Sequence, residues 1–442
     1  MQLNELQNKI EQARTLESSL PSLKYGGMKE LLEARSSTKK NYLTYVNESG
    51  ERSEVSYADF YEHVLGCARF LQNIGLSRGD RVATISHNHW HTVVQYFACW
   101  LLGLVVVPIN LEEDDDRIAD ILENGRIELA FVRTEYRDRF RTILEQYDQL
   151  KHIEWIVCEG GLENFIKKEG KLRIDEASFA ESDALVVFAS DREGQLQGIV
   201  LTQQNLLEGT RATVRWHNID EDSRMMCVLP IHSVNEAVIS MITPFFAGGS
   251  AVLNQEFKAS RLFPQIKEEK IHIVSVTPSM LQSLNHHYAE DDHPDVASLE
   301  HIICEGKSLT TKMAIAFEEQ FRVPIIYGCG WPETTCYSCF LPLDLRKNER
   351  REWLTDYGYP SVGTPVLANE MAVHDEDGNA LPEEEGGEIV IRGVNVMERY
   401  DNNKEANERA FRNGWFRSGE EGFYINDKEG RPYFFLTGRR NE

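Results

Sequence analysis

Short, wholly apolar runs alternate with segments of helical spacing, and this alternation limits the fold more than any other feature. Val82-Ala-Thr-Ile-Ser86, Leu104-Val-Val-Val-Pro-Ile109 and Leu129-Ala-Phe-Val132 form one series of runs. Between them, Tyr57 to Asn73, His91 to Leu102 and the segment opening at Ile118 carry helical spacing, and Gly75 offers a C-cap to the first. The rhythm resumes at Ala184-Leu-Val-Val-Phe188, then at Met225 to Leu229, Ser250 to Leu253, Ile271 to Val276, His301 to Cys304 and Pro324 to Tyr327. Helices are predicted at Ala237 to Phe246 and Thr311 to Phe321. A strand apolar on both faces must be covered on both. The pattern therefore predicts largely parallel sheets flanked by helices, an α/β class.

Two such units are expected, divided near residues 160–182, where the chain turns polar. After residue 355 short strands such as Glu388 to Arg392 and Tyr433 to Leu436 sit among Gly, Asn and Asp, which predicts a smaller β-rich unit. The division expected is an N-terminal amphipathic helix at 1–24, α/β units at 25–180 and 181–355, and the β-rich unit at 356–442. Leu3, Leu6, Ile10, Ala13, Leu16 and Leu20 carry the helix stripe. Its apolar face is expected on the first α/β unit, with a dimer contact as the other reading.

Charge excludes some functions. Lys plus Arg number 47 and Asp plus Glu 71, a net charge of −24. Nucleic acid and anionic lipid need basic surface, so neither is an expected partner. No run approaches the ~18 apolar residues of a membrane span. Met1 to Glu5 is polar and acidic, which predicts no secretory leader and a cytoplasmic location. The eight cysteines sit in apolar surroundings and read as reduced, buried thiols; Cys336 and Cys339 have CxxC spacing but no second pair. His87, His89 and His91 are expected to be a solvated helix start.

Gly79-Asp-Arg-Val-Ala through Val107-Pro-Ile-Asn110 resembles the opening of the acyl-adenylate-forming family of acyl-CoA synthetases, luciferases and peptide-synthetase adenylation domains. Leu229-Pro230, Ala247-Gly-Gly249, Val276-Thr-Pro278, Tyr327-Gly-Cys-Gly-Trp-Pro-Glu-Thr-Thr335, Asn413-Gly-Trp-Phe-Arg-Ser-Gly419 and Thr437-Gly-Arg439 are similar to later segments in the family's order. The resemblance implies two α/β subdomains plus a small β-barrel, with ligands bound where the three meet. It implies ATP and Mg²⁺ as cofactors, a small carboxylate or acyl ligand, and an acyl-carrier or other partner protein. Glu333 is the implied catalytic residue and Mg²⁺ ligand. Ser190, Gly194, Gly198, Gly306, Gly328, Cys329, Thr334, Glu420 and Arg439 are the implied nucleotide contacts. Ser233, Val234, Asn235 and Trp331 are the implied acyl pocket, bordered by Ser233 to Glu236, Glu305 to Ser308 and Gly330 to Trp331 and expected to be apolar. The family continues past the hinge into a domain carrying its adenylation lysine, which is implied beyond Glu442.

Several positions depart from the family pattern. The phosphate loop reads Ser190-Asp-Arg-Glu-Gly-Gln-Leu-Gln-Gly198. Asp191 replaces a glycine, Arg192 and Glu193 replace paired hydroxyls, and Gln197 replaces the lysine. A lost charged hydrogen bond costs about 1.5–3 kcal/mol. A carboxylate ~4 Å from a phosphate repels it by roughly 4 kcal/mol at an effective dielectric of ~20. Ser233 replaces a pocket histidine, Cys329 the aromatic that stacks on adenine, Pro332 a threonine, and Glu420 the ribose aspartate. Three functions are expected in turn: a pseudoenzyme that keeps the fold and binds an acyl ligand or protein; an active ATP-dependent acyl-activating ligase completed by the further domain; and a structural subunit.

Overall fold

The computed structural model describes all residues except 1–2, 18–19, 159–164, 168–169, 175–178, 191–193, 289–293, 307–308 and 440–442. The fold is mixed α/β, built on two sheets. The smaller runs in the order Arg399–Tyr400, Leu196–Thr202, Asp183–Ser190, Val105–Pro108, Arg81–Ile85, Ile127–Arg133, Glu154–Cys158. Its interior pairs are parallel, and Asp183–Ser190 turns back antiparallel onto Leu196–Thr202. Strand Val105–Pro108 is buried at every residue, as a strand covered on both faces must be.

The larger sheet has thirteen strands. Its parallel part joins Asn41–Val46, Ser250–Asn254, Arg224–Cys227, Ile273–Val276, His301–Glu305 and Ile325–Trp331. The chain then reverses into Cys336–Phe340, and antiparallel strands Ser361–Pro365, Pro432–Arg439, Phe416–Asn426, Gly387–Gly393 and Asn369–His374 extend the sheet.

Helices Tyr57–Asn73 and Trp90–Leu101 pack between the two sheets. Ser56 starts the first by accepting a hydrogen bond from the Asp59 amide at 3.0 Å, which satisfies one of the unpaired amides of the first turn. Tyr42, Tyr57, Phe60, Phe97 and Phe245 meet there with ring centroids 4.8–5.5 Å apart. Such aromatic pairs add about 0.5–1.5 kcal/mol each beyond their buried area.

Two expectations change. The N-terminal helix spans Leu3–Ala13, ending before Leu16 and Leu20 of the helix expected over 1–24, and buries Leu6, Ile10 and Ala13, but it packs on strand Gly387–Gly393 rather than on the first α/β unit. Arg14 pairs with Glu398 at 2.5 Å, which fixes the end of that contact. An apolar stripe states which face is buried, not what covers it. The second change concerns His89 and His91, which are buried rather than solvated. His89 caps helix Trp90–Leu101 by accepting from the His91 amide at 3.1 Å. Burial pushes the two imidazoles down to about 2 and about 3, and Arg133 adds to the effect. All eight cysteines are buried, and none is in a disulfide. Among the described residues no helix is long and apolar enough to cross a membrane.

Candidate nucleotide and acyl site

The implied phosphate loop is the turn of the hairpin Asp183–Ser190 to Leu196–Thr202, in which Ala189 faces Gln197 and Phe188 faces Gly198. Asp191, Arg192 and Glu193 lie outside the described residues. Gly194 has φ +81° with open space around it, so the turn itself needs glycine there. Gly198 is needed for a different reason: a Cβ would lie 3.0 Å from the Phe188 ring and 3.3 Å from Asp401. Its carbonyl accepts from the Asp401 amide at 2.7 Å. Ser190 Oγ accepts from the Arg117 guanidinium at 2.6 Å, which brings a cation to this turn from a distant helix. Gln197, at the implied lysine position, is 6% exposed, and its Oε1 accepts from Asn403 at 3.0 Å.

Strand Arg399–Tyr400 pairs with Ile199 and Val200, beside this hairpin. Through it Glu333 is brought to the hairpin, because Tyr400 donates its hydroxyl to Glu333 Oε1 at 2.8 Å. The Glu333 carbonyl accepts from the Met397 amide at 2.6 Å. Burial raises the Glu333 carboxyl above the usual carboxylate range, and the Tyr400 hydrogen bond pulls the other way. Glu333 stands in the turn Pro332–Thr334, between strands Ile325–Trp331 and Cys336–Phe340. Those strands press together: a Cβ on Gly328 would lie 2.3 Å from the Phe340 ring, and one on Gly330 would lie 1.6 Å from the Cys336 carbonyl. Thr335 and Cys336 take positive φ, +58° and +127°, so the turn carries backbone strain in non-glycine residues. The Thr334 hydroxyl is fully buried in its own turn, accepting from the Trp331 amide and from Ser338. Cys329 is buried opposite Cys339.

The implied ribose residues meet across the antiparallel pair Phe416–Asn426 and Pro432–Arg439, where Glu420 faces Arg439 in register. The Arg439 Nε lies 3.5 Å from Glu420 Oε1; the carboxylate is buried and the guanidinium is exposed. Gly306 has φ +111°, and its carbonyl accepts from the Tyr327 hydroxyl at 3.1 Å.

The implied acyl segment opens at Ser233, whose hydroxyl caps the turn Val234–Glu236. The helix then widens into a π-segment at Ala237–Ile242. Val234 and Trp331 are buried. Asn235 donates to Glu305. Glu236 is 1% exposed, and its Oε2 accepts from the hydroxyl of Ser240 and the thiol of Cys227. Burial raises the Glu236 carboxyl to about 7, and the nearby Glu305 adds to the rise. Burial also raises Glu305. The expected apolar lining is corrected here. Glu236, Glu305, Asn235 and Tyr337 gather at this position, and no local periodicity marks them as neighbours. A cleft of about 800 Å³ opens elsewhere, between residues 14–16, residues 20–26, Arg78 and the segment at 180–182.

The smaller sheet thus carries a glycine-shaped hairpin with the Glu333 carboxylate held beside it, and the larger sheet carries the Glu420–Arg439 pair and the buried polar wall. The AMP-binding enzyme family matches residues 32–401. This chain belongs to that family. It is 25% identical over 418 residues to a crotonobetaine/carnitine–CoA ligase of Citrobacter koseri, covering 91% of this chain and 77% of that protein. The fold is shared with the N-terminal domain of FACL13 from Mycobacterium tuberculosis, with a TM-score of 0.82, 21% identity, and coverage of 94% of this chain and 100% of that one. It is shared also with MatB from Rhodopseudomonas palustris, with a TM-score of 0.80, 19% identity, and coverage of 93% and 79%. The chain is therefore an acyl-CoA ligase-like AMP-binding domain. Sequence reasoning missed Arg117 and Tyr400; it set Glu236 and Glu305 at the border of the pocket but not as a polar wall. Each acts across a long stretch of chain, and no spacing signals it.

Proposed function

We propose that this domain binds a small carboxylic acid at the segment around Val234, Asn235 and Trp331 and holds ATP weakly, so that the family's architecture serves ligand or partner binding more than adenylation. One observation carries the reading. Gln197 stands where the resemblance expects the phosphate-binding lysine, and its side chain is buried and tied to Asn403. A neutral amide so engaged supplies no charge to a triphosphate, and a charge-assisted hydrogen bond is roughly twice as strong as a neutral one. The ribose end fits a nucleotide, since Glu420 can accept from hydroxyls beside Arg439. The triphosphate end does not fit at the lysine position, and no reaction step is assigned through ATP.

A second reading is supported by other contacts. Arg117 at Ser190 places a cation beside the loop, and Glu333 is held against the hairpin's strand by Tyr400. In that reading Glu333 would hold Mg²⁺, Glu420 and Arg439 the ribose, and a domain beyond residue 442 would complete an acyl-activating ligase. An acyl-carrier or other partner protein would then receive the acyl group. Titrating Mg·ATP into the unmodified chain and into Gln197→Lys separates the two. The first reading expects affinity that appears only with the lysine; the second expects it in both.

A further inference from the structure

We propose that the cleft of about 800 Å³ binds an amphipathic anion, its charged head on Arg78 and its apolar chain against Leu16, Leu20, Leu23 and Val394. The volume lies within the roughly 300–1,000 Å³ of small-molecule sites. The cleft is separate from the nucleotide and acyl segments. Arg78 and Ser182 stand at the amino ends of strands Arg81–Ile85 and Asp183–Ser190. Ser190, at the implied phosphate turn, closes the second strand about 23 Å from Asp183, at ~3.3 Å per residue.

The apolar wall is the part of the N-terminal stripe that the fold leaves over. Helix Leu3–Ala13 buries Leu6, Ile10 and Ala13 and stops. Leu16 and Leu20 continue the spacing beyond the helix, where they are half-buried and line the cleft with Leu23 and Val394. An apolar chain laid along them removes their surface from water. Arg78 supplies the charge. Its guanidinium donates to Ser182 Oγ at 2.7 Å and lies 5.1 Å from the centre of the Phe179 ring, two contacts that hold its plane. Among the described residues no carboxylate pairs with it, in a chain of net charge −24. A planar guanidinium held in place is a fork for a carboxylate or phosphate head. The other arginine of the wall is already matched: Arg14 pairs with Glu398 at 2.5 Å. The buried acid Glu208 is matched by Arg211, also at 2.5 Å. Glu181, next to Ser182, is the opposing charge; it is exposed to water, which screens it.

Calorimetry without nucleotide tests this. The probes are octanoate, octyl phosphate, octylammonium and octanol, all below their micelle concentrations, in the unmodified chain and in Arg78→Gln, Leu20→Glu and Glu181→Gln. The expected result is an octyl anion bound at least tenfold more tightly than octylammonium or octanol. Arg78→Gln and Leu20→Glu should each weaken it at least tenfold, and Glu181→Gln should tighten it about two- to fivefold. The tighter of the two anions identifies the head group, carboxylate or phosphate, and either upholds the site. Equal or tighter binding of octylammonium overturns the proposal, as does binding of none of the probes. Anion binding that Arg78→Gln and Leu20→Glu both leave unchanged places the chain elsewhere; it overturns the proposal and leaves the reading of the segment around Val234 standing. Should Leu20→Glu fail to fold, Arg78→Gln decides, since Arg78 is exposed and its loss removes no buried contact of the core.

Discussion

Glu236 shows what a single buried acid does to the molecule. Its carboxyl is raised from an ordinary 4.5 to about 7, mainly by burial, and Ser240, Ser275, Cys227 and Glu305 face it. Between these values the native state holds a proton that the unfolded chain has released. The native state therefore binds more protons, and stability falls as pH rises through this window. Below about 4.5 both states are protonated, and the loss is complete above about 7. The loss attributable to Glu236 is about 3 kcal/mol. Urea unfolding at pH 5 and pH 8 should show this drop, and Glu236→Gln should flatten it. A variant with the same slope as the unmodified protein would place the proton elsewhere. Gly330 makes the steric counterpart. A Cβ there would lie 1.6 Å from the Cys336 carbonyl, on backbone that cannot swing aside. Gly330→Ala is expected to lower unfolding free energy by about 3 kcal/mol, the upper range for overpacking. Denaturant midpoints check it, and a loss under about 1 kcal/mol would show that the two strands can part.

At the scale of elements, the N-terminal helix is joined to the far end of the chain. Leu6 and Ile10 are buried, and Arg392 and Glu370 reach Glu17 just past the helix. Deleting residues 1–17 should lower stability by about 3 kcal/mol from the lost apolar burial. Sedimentation should show the oligomeric state unchanged; dissociation of a dimer on deletion would mean that the stripe serves a partner chain as well. The same helix marks the border of what the sequence discloses. Tyr57–Asn73 and Thr311–Phe321 were legible residue for residue, because helical period and capping residues are local. The pairing of Asn41–Val46 with Ser250–Asn254 was not, since a strand's composition says nothing about a neighbour two hundred residues away. His89 and His91 misled for a related reason. Polar residues ahead of an apolar helix read as solvated, yet Tyr45 and Phe165 pack against them.

For the whole molecule, sequence is informative where residue type meets a fixed backbone position. Gly194 is glycine because its φ is positive, and Gln197 stands where the resemblance implies a lysine. The contacts that complete the site were hidden, because Arg117 and Tyr400 reach Ser190 and Glu333 from distant parts of the chain. Those contacts and the buried Gln197 point in opposite directions for ATP, and one measurement decides between them. Mg·ATP is titrated calorimetrically into the unmodified chain at physiological salt, with Gln197→Lys alongside. The account predicts a Kd above about 1 mM, less than about 4 kcal/mol of binding, for the unmodified chain. It predicts measurable tightening in Gln197→Lys. A Kd in the low micromolar range for the unmodified chain would contradict it and identify the domain as a working nucleotide site.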